Sequence, residues 1–232
     1  STCFGAVVCL LVVLPAITFA MNLTVGPSAS DIAGTDSVAL QTAIDRVSRG
    51  GGGTVFVRPG SYVMSAALQM KSNVNLIGMG AAPVLQKLPS QSYLLGEDAG
   101  HGSTQIRVID SAGLVKGMSL AILDDKNSSG WYVATRFITD ITGNIITLDE
   151  PLEIEYLLER NARIVTVFPL ISLKNVKNSR LENLITDGSR YDCMCLDGAR
   201  GAAIYVWHGE KILMDNCVAR NFNGDGISIQ VS

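Results

Sequence analysis

The sequence predicts an all-β chain wound as a stacked solenoid, with one capping helix near its start and a small β subdomain inserted between early rungs. Three observations carry this. One pattern is written twice and begun a third time: Ile171-Ser-Leu-Lys174, Ile204-Tyr-Val-Trp207 and Ile227-Ser-Ile-Gln230. Matching triplets, Leu181-Glu182-Asn183 and Met214-Asp215-Asn216, stand at the same distance after the first two openings. The spacing is regular, with 23 residues from Ile204 to Ile227 and 33 from Ile171 to Ile204, the same unit with a ten-residue loop inserted. A unit of this length that holds short alternating strands and no helical periodicity buries its apolar edge only against its neighbours.

At ~3.3 Å per residue, 23 extended residues make a rung of roughly 75 Å, enough for three short strands and three turns around a filled interior. Equivalent residues of successive rungs then lie ~4.8 Å apart, so like stacks on like. The inward stacks are expected to be Ile171/Ile204/Ile227 and Leu173/Val206/Ile229 on one sheet, with Leu181/Met214 and Leu184/Cys217 on another. Asn183 over Asn216 is expected to form a ladder in which each amide bonds the next rung and the turn backbone, a structural role, since a stacked amide offers no reactive atom.

The chain has 232 residues, 47% hydrophobic and 17% charged, with a net charge of -3, enough for one domain with a sizeable core. Nothing basic is concentrated anywhere, which argues against a nucleic-acid partner. Residues 3–20 are uncharged and mostly apolar and are followed by polar sequence. This reads as a secretory signal peptide over residues 1–20, cleaved after Ala20, with Thr18 and Ala20 as the small residues before the cut. The mature protein is then secreted, extracellular or periplasmic, and leaves no membrane segment. A retained membrane anchor is the other reading, against which Pro15 and the short run count. The chain opens on Ser1 and stops in the first strand of a rung at Ile227-Ser-Ile-Gln-Val-Ser232, so the sequence reads as part of a longer protein whose last rung here lacks a cover.

Thr35-Asp36-Ser37 supplies helix N-cap candidates, and Ala39, Leu40, Ala43, Ile44 and Val47 repeat at helical spacing until Gly50 to Gly53 end the run. Strands follow at Thr54–Val57, from Ser61, and at Asn73–Ile77. One amphipathic helix ahead of a solenoid covers the first rung's open apolar end and unpaired edges. Residues 21–102 are therefore assigned to the cap helix and first rung, 103–156 to the inserted β subdomain and 157–232 to further rungs. In the insertion, strands are expected at Ile106–Ile109, Ser119–Leu123, Tyr132–Ile141 and Ile145–Leu148. Asp124-Asp125-Lys-Asn127 is read as a solvated turn, because it lacks the further spaced carboxylates of a calcium loop.

Three stretches carry a family resemblance: Asp36-Ser-Val-Ala-Leu-Gln-Thr-Ala-Ile-Asp45, then Gly50-Gly-Gly-Gly-Thr-Val-Phe-Val-Arg-Pro-Gly-Ser-Tyr62, then Lys71-Ser-Asn-Val-Asn-Leu-Ile-Gly78. Together they resemble the N-terminal part of the pectate lyase superfamily, the pectin-lyase-like right-handed parallel β-helix proteins, which include rhamnogalacturonase-like and epimerase-like members. The resemblance spans about residues 31–85 and resumes from about 164. It implies a right-handed parallel β-helix and a polysaccharide substrate of pectin or uronate type. That scaffold carries hydrolases, lyases, epimerases and tailspikes, so fold does not fix chemistry.

Between inward positions, side chains point out. On the Ile171 sheet these form the lines Ser172/Tyr205/Ser228 and Lys174/Trp207/Gln230. Tyr205 and Trp207 side by side make a platform for sugar rings, with Lys174 one rung away to meet a carboxylate, unless the insertion covers them. The loop 186–201 holds Asp187, Arg190, Tyr191, Asp192, Asp197 and Arg200, in which Arg190 and Arg200 are suited to grip a uronate carboxylate bidentately. Asn223-Gly-Asp225-Gly resembles the aspartate motif of polygalacturonase-type hydrolases, which implies a catalytic Asp225 acting with carboxylates one rung later. Gly224 stands where that motif has threonine, and Gly-Asp-Gly is also an ordinary turn. Cys193, Cys195 and Cys217 are an odd number in the mature chain. Cys217 reads as a core residue and the Cys193/Cys195 pair as loop thiols or a disulfide, ahead of a metal cluster with His208. His208 itself reads as a turn or core histidine. No metal or cofactor is expected for a hydrolase, whereas a lyase would add calcium. The function read from the sequence is a secreted polysaccharide hydrolase ahead of a lyase, with a carbohydrate-binding or structural β-helix as the competing class.

Overall fold

The computed structural model describes residues 20–194 and 201–231. The expected signal peptide lies outside the described residues apart from Ala20. One parallel sheet has eight strands. Its order is Ile32–Ala33, Met21–Gly26, Gly53–Val57, Val74–Gly78, Lys177–Asp187, Val84–Lys87 and Ser61–Met64, with Glu210–Arg220 on the other edge of Lys177–Asp187. A second parallel sheet has four strands, Leu68–Gln69, Ile171–Lys174, Ile204–Trp207 and Ile227–Gln230. A chain that passes between two such sheets once per coil, always in parallel register, is a parallel β-helix.

The repeat positions pair as their spacing predicts. Ile171 faces Ile204 and Ile204 faces Ile227, while Leu173, Val206 and Ile229 align beside them. Leu181 faces Met214 and Leu184 faces Cys217. Ile171, Leu173, Ile204 and Val206 are buried. Ile227 and Ile229 are 43% and 60% exposed, because no described strand lies over them.

The coil corners are set by single residues with left-handed backbone. Lys177–Asp187 pairs through Leu181 with Leu76 before Asn183, and through Ile185 with Val84 after it. Asn183 has φ 53° and Asn216, one coil on, φ 48°. Asparagine tolerates this region better than most residues, which explains its place at the bend. The Asn183 amide donates to the carbonyls of Gly78 at 3.0 Å and Gly80 at 3.1 Å, and its Oδ1 accepts from Asn216 Nδ2 at 2.9 Å. This is the expected ladder. Gly78 must lack a side chain here, since a Cβ would lie 2.1 Å from the Asn183 carbonyl oxygen. The same conformation recurs at Asn175 and His208, and at Asn178 and Lys211, which makes His208 an exposed corner residue.

The helix spans Ser37–Arg49, and Asp36 is its N-cap, accepting from Ala39 N at 2.8 Å. Ala39, Leu40, Ala43, Ile44 and Val47 are buried in one cluster with Val25, Val55, Val57 and Leu76. Fully burying Leu40, Ile44 and Val47 contributes about 1.5–3 kcal/mol each in transfer free energy. Gly50 N bonds Arg46 O, and the chain then turns back into Gly53–Val57. A further strand, Met21–Gly26, pairs in parallel with Gly53–Val57. It is an extra piece of coil that the reading of residues 21–102 did not contain.

The insertion is a six-stranded antiparallel sheet in the order Ser92–Leu94, Arg163–Val165, Ser119–Leu123, Ala134–Thr142, Ile145–Leu148 and Gln105–Arg107. It reaches beyond 103–156 at both ends, because Ser92–Leu94 and Arg163–Val165 pair with each other across the whole segment. Such short strands leave little alternation to read. Bonds from Ile109 N to Leu94 O and from Gly96 N to Arg107 O curl the sheet until its outer strands meet. It encloses its own core, which includes Leu120, Ile122, Ile146, Tyr156 and Ile164. The strand expected from Tyr132 begins at Ala134, after a 3-10 turn over Gly130–Tyr132. Asp124 and Asn127 are buried, so the expected solvated turn is an internal anchor. Asp124 accepts from the backbone of Lys126, Asn127 and Leu157.

Replacing Asn183 by Ala removes two donated and one accepted hydrogen bond while keeping the strained backbone, and is expected to cost about 2–3 kcal/mol. Asn183→Gly should recover about 1 kcal/mol of that, since glycine carries no Cβ penalty at positive φ. Urea unfolding midpoints of the two variants test this, and equal midpoints would refute the corner role.

Candidate functional site

The insertion lies along the outward face of the four-stranded sheet, and a groove of about 400 Å3 opens between them. Ser172, Lys174, Tyr205 and Trp207 form its helix-side wall, and Ser119, Arg136, Phe137, Asp149, Glu150 and Glu153 its insertion-side wall. Strand pairing places these outward residues, since Ser172 aligns with Tyr205 and Lys174 with Trp207. Tyr205 and Trp207 are half-buried, with ring centroids 6.4 Å apart and planes tilted by 34°. His208 meets the Trp207 ring edge-on at 5.0 Å. The insertion thus flanks the aromatic pair and leaves it on a groove wall.

Lys174 is already engaged. Its Nζ lies 2.5 Å from Glu150 Oε1. That hydrogen bond holds the Glu150 carboxyl below the usual glutamate range against partial burial, with the charges of Lys174 and Arg136 adding to it. Arg136 explains why Glu150 sits there. Its side chain is only 4% exposed and donates to the carbonyls of Pro151 at 2.6 Å, Thr135 at 2.9 Å and Glu150 at 3.1 Å, while pairing with Glu153 at 3.0 Å. Asp149 Oδ1 accepts from Phe137 N at 2.7 Å. These bonds fix the 149–153 turn, and the turn carries Glu150 to Lys174.

Sequence reasoning missed this charged wall. Its signal was an arginine on the inward side of a strand, since Ala134, Arg136 and Ile138 alternate on one face. A buried guanidinium requires carbonyls or carboxylates nearby.

Of the remaining predicted residues, Asp225 and Arg190 do not line the groove. Asp225 is exposed in the turn before Ile227–Gln230, and its carbonyl accepts from Ala203 N at 3.1 Å. Ala203 O in turn accepts from Leu170 N. Asp225 therefore stands two coils along the stacking axis from Pro169, which does line the groove. Arg190 is exposed, and its carbonyl accepts from Asn223 Nδ2 at 2.8 Å. Tyr191 is 95% exposed. Arg200, Asp197 and Cys195 lie outside the described residues.

Asp187 is buried and bonded to Arg220 Nε at 2.9 Å and Asn221 Nδ2 at 3.1 Å. Burial pushes its carboxyl up, and the bonds from Asn221, Ser189 and Arg220 outweigh this and leave it below the usual range. It anchors the loop to the next coil. Cys193 and Cys217 are both free. Cys217 packs against the core, and burial raises its thiol pKa. Among the described residues no group of three or more His, Cys, Asp or Glu side chains could hold a metal ion.

Residues 28–232 match the family model of rhamnogalacturonase A/epimerase, pectate lyase-like proteins. The chain belongs to that family. Over 60 residues, 23% of the chain, it is 43% identical to mannuronan C5-epimerase AlgE6 of Azotobacter vinelandii, and this stretch covers 7% of that protein. Among solved structures it is similar to the Gp54 tailspike of Acinetobacter baumannii bacteriophage AP22, determined in complex with A. baumannii capsular saccharide. The identity there is 16% and the TM-score 0.31, over 77% of this chain and 32% of the tailspike. The tailspike gp61 of Pseudomonas phage phi297 gives 13% and 0.34, over 76% and 41%. This family member therefore spans well under half the length of each of these proteins.

The ion pair makes a pH prediction. A carboxyl whose pKa is lowered by folding contributes stability that is present above the ordinary glutamate pKa and is lost as pH falls through the depressed value. Lys174→Met should raise the Glu150 pKa toward the ordinary value and remove this contribution. Carboxyl NMR titration of the wild type and the variant measures it, and an unchanged midpoint would show that the pair does not form in solution.

Proposed function

We propose that this chain is a secreted carbohydrate-active protein that holds a polysaccharide along the outer face of its β-helix and cleaves it by glycoside hydrolysis. The observation that carries this reading is that Tyr205, Trp207, Lys174 and Glu150 share one open groove. Aromatic faces pack on the apolar faces of sugar rings, and the charged pair supplies both a donor and an acceptor for hydroxyls. A polymer leaving this groove along the stacking axis passes the turn that carries Asp225 after two coils, ~4.8 Å each.

In this reading Asp225 transfers the proton, and a second carboxylate activates water or forms the glycosyl intermediate. Arg190 and Arg200 belong to the same proposal as grips on the polymer beyond the groove. One observation favours a second reading, a carbohydrate-binding β-helix without catalysis: Asp225 does not line the groove that holds the aromatic pair.

Incubating the full secreted protein with a panel of polysaccharides, following reducing ends and the absorbance of unsaturated products, separates these readings. Hydrolysis predicts new reducing ends without unsaturation, a loss of about 10²-fold or more in rate for Asp225→Asn and weakened binding for Trp207→Ala. Unsaturated products would reassign the reaction to elimination. Binding without any cleavage would leave the second reading.

A further inference from the structure

The chemistry of the groove also bears on which sugar it takes. Its lining holds three carboxylates, Asp149, Glu150 and Glu153, and two cations, Arg136 and Lys174, a net charge of -1. Both cations already have partners. Arg136 is buried and its guanidinium is committed to three backbone carbonyls and to Glu153. Lys174 is held by Glu150. A uronate carboxylate that approached Lys174 would have to share the ammonium with Glu150, at a separation where like charges repel. A hydroxyl meets no such opposition, because it can donate to Glu150 and accept from Lys174 at once.

The wall contains a further mark of hydroxyl chemistry. Ser119 is buried, lines the groove, and its Oγ has no hydrogen-bond partner. A buried hydroxyl is seldom left so. The next cation along the face, Lys71, lies past Lys174 beside Gln69 and Ser72 and does not line the groove that holds the aromatic rings.

We infer that the sugar unit seated at Tyr205 and Trp207 is uncharged, a neutral hexose or pentose read through its hydroxyls by the Lys174–Glu150 pair, and that Glu150 excludes a uronate from this position. The inference rests on the polysaccharide reading above and deepens it.

The test uses matched polymers and the full chain. Polygalacturonate and polymannuronate are each compared with their own carboxyl-reduced forms, alongside a neutral galactan and a neutral xylan, by calorimetric binding to the wild type, Glu150→Gln and Lys174→Gln. The wild type is expected to bind reduced or neutral polymers at least about tenfold more tightly than the matched polyuronate. Glu150→Gln, which is nearly isosteric, should narrow that ratio by about tenfold, and Lys174→Gln, which leaves Glu150 unpaired, should widen it. Wild-type binding to a polyuronate as tight as to its reduced form would overturn the inference, as would a ratio that neither variant moves. Binding to no polymer at all would remove the polysaccharide reading itself, and this inference with it.

Discussion

The in-register stacking of Lys177–Asp187 on its neighbours is the constraint on which the rest of the molecule depends. This strand pairs with Val74–Gly78 through one half and Val84–Lys87 through the other, and along its whole length with Glu210–Arg220. It is both a wall of the coil and the bend between two faces, and the bend is one asparagine. If Asn183 left the left-handed region, Leu184 and Thr186 could not follow Leu181 into the interior, because a one-residue slip inverts every side chain. The aromatic and charged lines of the second sheet follow from the same register, since Tyr205 and Trp207 are outward only because Ile204 and Val206 are inward.

The repeated parts of the fold were legible in the sequence, and the parts assembled from distant segments were not. Ile171, Ile204 and Ile227 announce themselves because each coil must present like to like, and Asn183 over Asn216 because a stacked amide satisfies a corner. The helix was legible for a local reason, a capping aspartate followed by five apolar residues on one face. Ser92–Leu94 and Arg163–Val165 were not, because their partners are each other, across the whole insertion. Met21–Gly26 was hidden in another way: it pairs with Gly53–Val57 across the helix and directly follows the apolar run of residues 3–20 in the sequence.

The same division holds for the candidate site. Lys174, Tyr205 and Trp207 could be placed together because they occupy outward positions of a repeat. Glu150 could not be placed beside them, because its position comes from Arg136, a buried cation in another sheet that gathers the carbonyls of a turn. Losing that guanidinium would take a donor from the carbonyls of Thr135, Glu150 and Pro151 and release the turn that opposes the aromatic face. The groove is thus a joint property of two separately cored units, one supplying rings and the other charge. Asp187 shows the opposite case, a carboxylate with an active-site composition around it whose neighbours hold it for structural reasons.

The way the insertion joins the coil also shapes how the chain can fold. Leu68 pairs with Ile171, so this coil closes over a loop of 103 residues. Once the insertion has formed, however, Ser92 and Val165 are themselves paired, and the free chain left to close falls to about 30 residues. By the logarithmic dependence of closure entropy on length, this lowers the cost of forming the coil by about 1 kcal/mol. The insertion is a clasp as well as a groove wall: with its own core formed, it holds the two chain ends that enter the solenoid side by side.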